Sequence, residues 1–268
     1  CRYGWRGTDR DASHAEVGHA ERIRKPVDIV MAALEATGVF RAYVPKRFGG
    51  FEIDIDTFID IGTALGSACT STGWVTTFCM EHNWLLAHFD PEGQEALFGK
   101  RAYVLAPGSI SPNGRAKAVE GGHVLSGRWS WATGVMHADW VMVTGMDREA
   151  GPRFCVLPRA EVEVEDVWHV SGMAATGSNA VVVRDAFVPE HRTLEMWRIK
   201  MGQAPGEALH PGSSVGWPLV QTLVLVAATP ALGTAEAALE SFRARMAAKM
   251  QSYGVQKQLE VPATHLRC

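Results

Sequence analysis

The spacing of apolar residues changes twice along this chain of 268 residues, and the two changes limit the folds that the chain can adopt. Up to about residue 100 the apolar residues recur at the spacing of amphipathic helices, first at Val27, Val30, Met31 and Leu34. From Arg101 onward, short runs rich in β-branched and aromatic residues predict strands, with a hairpin that turns at Gly121 and Gly122. A helical pattern returns over Ala227 to Met250. This order predicts an α+β fold with separate α and β layers.

The same pattern predicts three parts. Residues 1–100 are expected to form an N-terminal α-helical domain and residues 101–198 a central β domain, with strands at Tyr103 to Leu105 and beyond. Residues 199–268 are expected to hold a linker, rich in Gly, Pro and Ser over Ile199 to Gly216, and the start of a C-terminal helical domain. The chain begins at Cys1 without Met and ends at Cys268 within a helical pattern, so we expect a fragment with an incomplete C-terminal bundle.

The composition excludes several classes of protein. A net charge of -3 without a long run of Lys or Arg gives no electrostatic surface for nucleic acid or an anionic membrane. Five cysteines without a CxxC pair predict a reducing cytoplasm and no structural zinc. The sequence also lacks the GxSxG, P-loop and HExxH motifs of common hydrolases and NTPases.

Two further features predict ordinary structural roles. The most apolar window, Trp217 to Gly233, is expected to be a buried core helix and not a membrane span, because it is short and contains Gln221, Thr222, Thr229 and Pro230. The spacings of His82, His88 and His137 match no standard ligand set, so we expect no metal.

Two segments carry the functional signal. Gly127 to Trp140, GRWSWATGVMHADW, joins a strand rich in Trp to an Ala-Thr-Gly step where a planar cofactor could contact the backbone. Gly172 to Arg192, GMAATGSNAVVVRDAFVPEHR, places a turn rich in Gly and Ser before another strand. A flavin needs a flat apolar wall and one or two hydrogen bonds, which these segments could supply. The alternative is that the Trp residues belong to the core and that the turn only prepares the strand.

Together these segments resemble the acyl-CoA dehydrogenase fold family, and within it the two-component flavin-dependent monooxygenases that hydroxylate phenols. The resemblance implies an N-terminal helical domain, a central β-barrel-like domain and a C-terminal helical bundle. It also implies an oxygenase component that receives reduced FMN or FAD from a separate reductase and forms a C4a-hydroperoxyflavin with O2. An aromatic, phenolic small molecule would then be hydroxylated, and the full-length protein would be a homotetramer.

The resemblance assigns roles to individual residues. In the family, a step such as Trp131-Ala132-Thr133 lies along the flavin ring with the hydroxyl near N5, and a loop such as Ala106-Pro107-Gly108-Ser109 lies against it. His82 matches a histidine that meets the substrate phenol and would be catalytic, although it could equally be a helix histidine bonded to a backbone carbonyl. The expected cofactor contacts are Pro107, Gly108, Trp131, Ala132, Thr133, Gly177 and Ser178, and the expected substrate contacts are His82, Trp84 and Ser109.

Two other functions stay open on the sequence alone. Acyl-CoA dehydrogenases typically carry a Thr-Glu-Pro-x-x-Gly-Ser-Asp run, whereas this chain has LAPGSISPNG over Leu105 to Gly114, and this difference favours the hydroxylase branch. The first alternative is nevertheless an FAD-dependent acyl-CoA dehydrogenase, whose base would lie beyond this chain. The second is a non-catalytic flavin-binding fragment.

Overall fold

The computed structural model describes residues 18–248, with the backbone alone for residues 247 and 248. Along the chain, a mixed sheet follows one group of helices and precedes a second group. The first group contains the described part of α1 (18–23), α2 (Asp28–Thr37), α3 (Ile55–Ala68), α4 (Thr70–Leu86) and α5 (Pro91–Phe98). The second group contains α6 (Met196–Lys200), α7 (Pro205–Leu209) and α8 (Leu219–Ala248). The predicted α+β class and its order along the chain are confirmed.

Local capping fixes several helix ends. The Asp54 side chain accepts a hydrogen bond from the Thr57 backbone N–H at 2.8 Å and starts α3. Asp90 does the same for α5, and Pro91 occupies its first turn. Gly38 ends α2 with φ of 78°, a conformation that favours glycine. Each of these helix ends is therefore fixed by contacts within three residues of the cap.

The sheet has seven strands in the order β5-β6-β2-β1-β3-β4-β7. The strands are β1 (Gly108–Val119), β2 (Gly122–Ala132), β3 (Trp140–Asp147), β4 (Gly151–Pro158), β5 (Glu163–Glu165), β6 (Asn179–Pro189) and β7 (Thr193–Glu195). Neighbours are antiparallel except β1 and β3, which are parallel. Residues from β1 to β4 and β6 contribute to one apolar cluster that includes Leu125, Trp129 and Val181, so the sheet has a core of its own.

Three local predictions were wrong. Residues Tyr103 to Leu105 are extended but pair with no strand, because the Leu105 carbonyl accepts from the backbone N–H groups of Asp139 and Trp140 in a loop contact. The short strand β7 was not predicted. The predicted linker 199–216 contains the helix α7. The sheet lies within the predicted β domain of 101–198, and the domain division itself stays a prediction.

Helix α8 differs from the fully buried core helix that was predicted. Among the described residues it is long and apolar enough to cross a membrane by length and composition, yet only 28% of its most apolar window is buried. One face packs on α3 and α4, where small residues allow close approach: Gly66 faces the Pro230 backbone, and Gly233 faces the Thr63 carbonyl. The opposite face leaves Val220 and Val224 exposed. The helix is therefore amphipathic in its packing although its sequence is apolar on most sides.

Candidate functional site

Trp131, at the end of β2, has an unusual conformation for a large apolar residue. Its side chain is 69% exposed, and its backbone is left-handed, with φ of 65°. The pairing of β2 with β6 shifts between Trp129 and Ala132, which is a β-bulge that adds one residue to β2. Trp129 by contrast is fully buried and donates from Nε1 to the Thr144 carbonyl at 2.8 Å. The bulge thus turns one indole out of the core, at a conformational cost of about 1 kcal/mol or more.

Two residues after Trp131, Thr133 begins a chain of three buried hydroxyl groups. Thr133 Oγ1 lies 3.0 Å from Ser178 Oγ, which lies 2.8 Å from Thr176 Oγ1. Thr176 donates its proton to the Met173 carbonyl at 2.9 Å, so it accepts from Ser178, and Ser178 in turn accepts from Thr133. The bond to the Met173 carbonyl therefore fixes the direction of hydrogen-bond donation along the three hydroxyl groups. The Thr133 oxygen retains acceptor capacity for a further donor.

The turn that carries Ser178 is buried. Gly177, with φ of 54°, and Ser178 were expected to contact the cofactor, and both residues are enclosed by the protein. The Gly177 N–H donates to the Ala174 carbonyl at 3.1 Å and is not available to a phosphate. The turn contributes the Ser178 hydroxyl to the site instead.

Glu21 anchors the same turn from α1. Its carboxylate accepts from the backbone N–H groups of Ala174 and Ala175, at 3.0 and 3.2 Å, and from Ser71 Oγ at 3.0 Å. The contact ties the turn to the first residues of α4. Sequence reasoning missed this role, because nothing local to Glu21 indicates a partner more than 150 residues away.

His82 lies on α4 and is almost fully buried. Its Nδ1 lies 2.8 Å from the Ala106 carbonyl, which can only accept, so Nδ1 carries the proton and Nε2 keeps its lone pair in the neutral ring. Burial lowers the pKa of His82 to about 4, and the ring is neutral at physiological pH. Phe78 packs edge-on against it at 6.2 Å between ring centroids, and Trp74 packs on Phe78 at 4.9 Å. These three rings, four residues apart, form an aromatic stripe along α4.

The loop before β1 meets His82 at Ala106. Pro107 is buried, whereas Gly108 and Ser109 are half-buried. A side chain at Gly108 would collide with the backbone of Met142 on the parallel strand β3, so this glycine serves the strand contact. The Ser109 hydroxyl remains near the surface of the sheet.

Trp84 does not join His82. The two residues are two positions apart on α4, which turns their side chains about 200° away from each other. Trp84 is fully buried, donates from Nε1 to the Ser214 carbonyl at 2.8 Å and packs edge-on against His88. The expected substrate contact at Trp84 is therefore corrected: the side chain belongs to the core beneath the second helical group.

The remaining predicted residues fall into two clusters along α4. One contains Trp131, Ala132 and Thr133 with Gly177 and Ser178, and the loop beyond it packs on α4 where Gly134 faces Val75. The other contains His82 and residues 106–109. Val75 and His82 are seven residues apart, which is about 10 Å along the helix. Open surface depressions elsewhere, near Arg47 and near Arg128, contain none of the predicted site residues.

Comparison with known proteins gave relatives in sequence and in structure, although no family model matches the chain. It is 38% identical over 190 residues to "Flavin-dependent monooxygenase, oxygenase subunit HsaA" of Rhodococcus jostii, which covers 69% of this chain and 50% of the relative. It is 32% identical over 238 residues to "FADH(2)-dependent resorcinol hydroxylase, oxygenase component" of a Rhizobium species, which covers 87% and 58%. The chain thus spans little more than half the length of these curated relatives.

Solved structures extend the likeness. The crystal structure of 3-HSA hydroxylase from Rhodococcus sp. RHA1 superposes with a TM-score of 0.90 at 30% identity, over 97% of this chain and 68% of that one. An acyl-CoA dehydrogenase from Geobacillus kaustophilus, at 15% identity over 99% of this chain and 74% of that one, has a TM-score of 0.72 and shares the fold. These comparisons confirm the predicted acyl-CoA dehydrogenase-like fold.

Proposed function

This chain belongs to the family of oxygenase components of flavin-dependent monooxygenases, and from this premise we propose that the whole protein hydroxylates an aromatic, phenolic small molecule with O2 and a reduced flavin. One observation in the chain itself carries the proposal. The Trp131 indole is turned out by a bulge and exposed, and Thr133, two residues later, has a hydroxyl oxygen that retains acceptor capacity. A planar cofactor with a hydrogen-bond donor at its centre matches this arrangement.

The described residues fit a reduced flavin in two respects. Trp131 offers a flat apolar face, and covering it would remove exposed apolar surface from water. The Thr133 oxygen is left to accept because its own proton is committed to Ser178, and N5 of a reduced flavin carries a proton to donate. When bound, the flavin would supply the activation of O2 that no side chain provides.

The protein's own residues would bind and orient the substrate. Neutral His82 presents Nε2 as an acceptor for a phenolic O–H, with Nδ1 held on the Ala106 carbonyl. Accepting this hydrogen bond raises electron density in the aromatic ring, which favours attack on electrophilic oxygen. Phe78 and Trp74 form an apolar wall beside His82, and Ser109 provides a second polar group. A dry wall of this kind excludes water from the reacting atoms.

The partners and setting of the whole protein are part of the proposal. The relative named as FADH2-dependent favours reduced FAD over FMN, and the two-component organisation requires a separate flavin reductase. The exposed apolar residues Val220 and Val224 on α8 support assembly into a homo-oligomer. The free thiols of Cys69, Cys79 and Cys155 agree with a cytoplasmic location.

The binding experiment compares two tryptophan variants. Anaerobic equilibrium dialysis would measure the dissociation constant of reduced FAD and of reduced FMN for the unmodified chain, for Trp131→Leu and for Trp197→Leu. Trp197 is 41% exposed on α6, outside both clusters, and is the matched control. We expect Trp131→Leu to weaken binding about fivefold, since an aromatic stacking contact contributes about 1 kcal/mol. Equal affinity in all three proteins would contradict the site.

The activity experiment adds a flavin reductase, NADH, O2 and a set of simple phenols, with mass spectrometry for products that have gained one oxygen atom. Bleaching of bound FAD by an acyl-CoA without any hydroxylated phenol would favour a dehydrogenase. Flavin binding without either reaction would identify this chain as a flavin-binding fragment. Hydroxylated phenol in the absence of acyl-CoA would establish the proposed reaction.

A further inference from the structure

Glu81 on α4 carries a carboxyl group in the interior of the protein and is 1% exposed. Among residues 18–248, neither of its side-chain oxygens has a hydrogen-bond partner. Such burial is costly, because an unpaired polar group loses its water without compensation. A leucine would fill this helix position at lower cost, so the carboxyl group requires an explanation outside packing.

The side chain that could share a proton with Glu81 is His82. Glu81 Oε2 lies 3.4 Å from His82 Nε2, slightly beyond an ideal hydrogen bond. His82 Nδ1 is committed to the Ala106 carbonyl, so Nε2 is the only nitrogen that can respond to Glu81. A protonated carboxyl could donate to this lone pair, and a carboxylate could not unless the ring were protonated.

The surroundings keep this pair neutral. Burial raises the pKa of the Glu81 carboxyl well above its usual range and lowers the pKa of His82 to about 4. The titratable neighbours are Cys79 on the same helix and Tyr43 from the segment between α2 and α3; burial raises the pKa of both, so they are uncharged. Asp139, which acts on Cys79 from the start of β3, is paired with Arg101. Apart from the proton on Nδ1, Glu81 and His82 therefore hold one proton between them.

We propose that Glu81 is a positioning residue for His82, and that its carboxyl group holds the one proton of the pair and donates it to Nε2. The proposal deepens the proposed function and rests on it where it concerns the phenol. In the resting protein the imidazole is then fixed at both nitrogens, by Ala106 and by Glu81. Glu81 acts through His82 and does not touch the substrate.

The shared proton lets the pair bind either form of a phenol. A neutral phenol replaces Glu81 as donor to Nε2, and every proton stays where it was. For a phenolate, the O–H bond of Glu81 breaks and an N–H bond forms at Nε2, so that the imidazolium donates to the phenolate oxygen and the carboxylate remains behind it. This transfer leaves the total charge unchanged. A glutamine at position 81 can donate a hydrogen bond to Nε2 but cannot release a proton.

Nitrogen-15 NMR of the histidine-labelled, flavin-free chain tests the pair without any catalytic readout. His88 is a built-in reference, because its Nδ1 donates to the Trp84 carbonyl at 3.0 Å while its buried Nε2 has no hydrogen-bond partner in the described part of the chain. We expect the Nε2 resonance of His82 to lie upfield of that of His88 in the unmodified chain and in Glu81→Gln. In Glu81→Leu the Nε2 resonances of His82 and His88 should coincide. The same His82 shift in all three proteins, or a His82 protonated at Nε2, would overturn the proposal.

The pH profile of phenol hydroxylation supplies the second readout. In Glu81→Gln we expect the rate to fall about tenfold per pH unit above the pKa of the phenol, because only the neutral phenol remains a partner for Nε2. The unmodified protein should keep its rate over the same range, and identical profiles would overturn the role of the proton. NMR could show the hydrogen bond from Glu81 to His82 Nε2 while no phenol is hydroxylated at any pH. The proposed function would then be wrong, and the positioning of His82 by Glu81 would still hold.

Discussion

The packing of α8 on α3 predicts the effect of a single added methyl group at Gly233. A Cβ at this position would lie 2.7 Å from the backbone nitrogen of Ser67 and closer still to the carbonyl oxygen of Thr63. Non-bonded heavy atoms need roughly 3.5 Å, so the two helices must separate by about 0.8 Å or more. Both obstacles are backbone atoms of α3, which cannot move aside as a flexible side chain could.

The magnitude follows from two opposing effects. Overpacking against rigid neighbours costs about 3 kcal/mol at the upper end of its usual range. Replacing glycine by alanine inside a helix returns roughly 1 kcal/mol of helix propensity. We therefore expect Gly233→Ala to lower the free energy of unfolding by about 2 kcal/mol, which corresponds to a fall in Tm of about 4 to 8 °C for a chain of this size.

Urea unfolding followed by circular dichroism would measure this change, with Gly216→Ala as control. Gly216 has open space where its Cβ would be added and no positive φ, so its replacement should alter stability by less than about 0.5 kcal/mol. A Gly233→Ala protein as stable as the original, or more stable by the propensity gain, would refute the close approach of α3 and α8.

Three other perturbations test separate contacts. Glu21→Ala should raise the dissociation constant of reduced flavin about fivefold in a dialysis titration, because two N–H groups of the Ser178 turn lose their acceptor; unchanged affinity would separate Glu21 from the site. Arg153→Met should cost about 3 kcal/mol in urea unfolding, because the buried guanidinium that pairs with Glu190 and Glu195 is lost; a change below about 1 kcal/mol would show that the cluster is not needed for stability. Burial raises the folded-state pKa of Glu81 above its ordinary value of 4.5, so its stabilising contribution is complete below that pH and is lost as the pH rises. As the pH rises above about 5, the stability of Glu81→Gln should therefore increase relative to that of the original protein, and a constant difference would contradict a buried neutral carboxyl.

Local rules predicted the parts of the fold that depend on nearby residues. The helix ends at Gly38 and Asp90 and the hairpin at Gly121 follow from capping and turn preferences that a few residues determine. Parallel pairing of β1 with β3 depends on residues far apart in sequence, and the unpaired segment before Gly108 could not be separated from a strand by its apolar pattern. The same limit explains why β7 was missed.

The candidate site shows a similar division. The segments around Trp131 and His82 were predicted from their resemblance to a family, and their place in the site stays a prediction. The left-handed backbone at Trp131 arises from the register of β2 against β6, which no property of a tryptophan indicates. The direction of Trp84 depends on the helix groups around α4, and the partnership of Glu81 with His82 depends on Ala106 fixing the ring.

The strand order also has a kinetic consequence for the hydroxyl chain. The β1-β2 and β3-β4 hairpins close over short loops, so they can form early on the folding pathway. β6 adds to β2 only after about fifty intervening residues have been organised, and loop closure of this length slows its docking. Thr133 directly follows β2 of the early hairpin, and Ser178 directly precedes the late strand β6. The contact between these two hydroxyls therefore forms after the hairpin, and a nascent chain exposes Trp131 before Ser178 reaches Thr133.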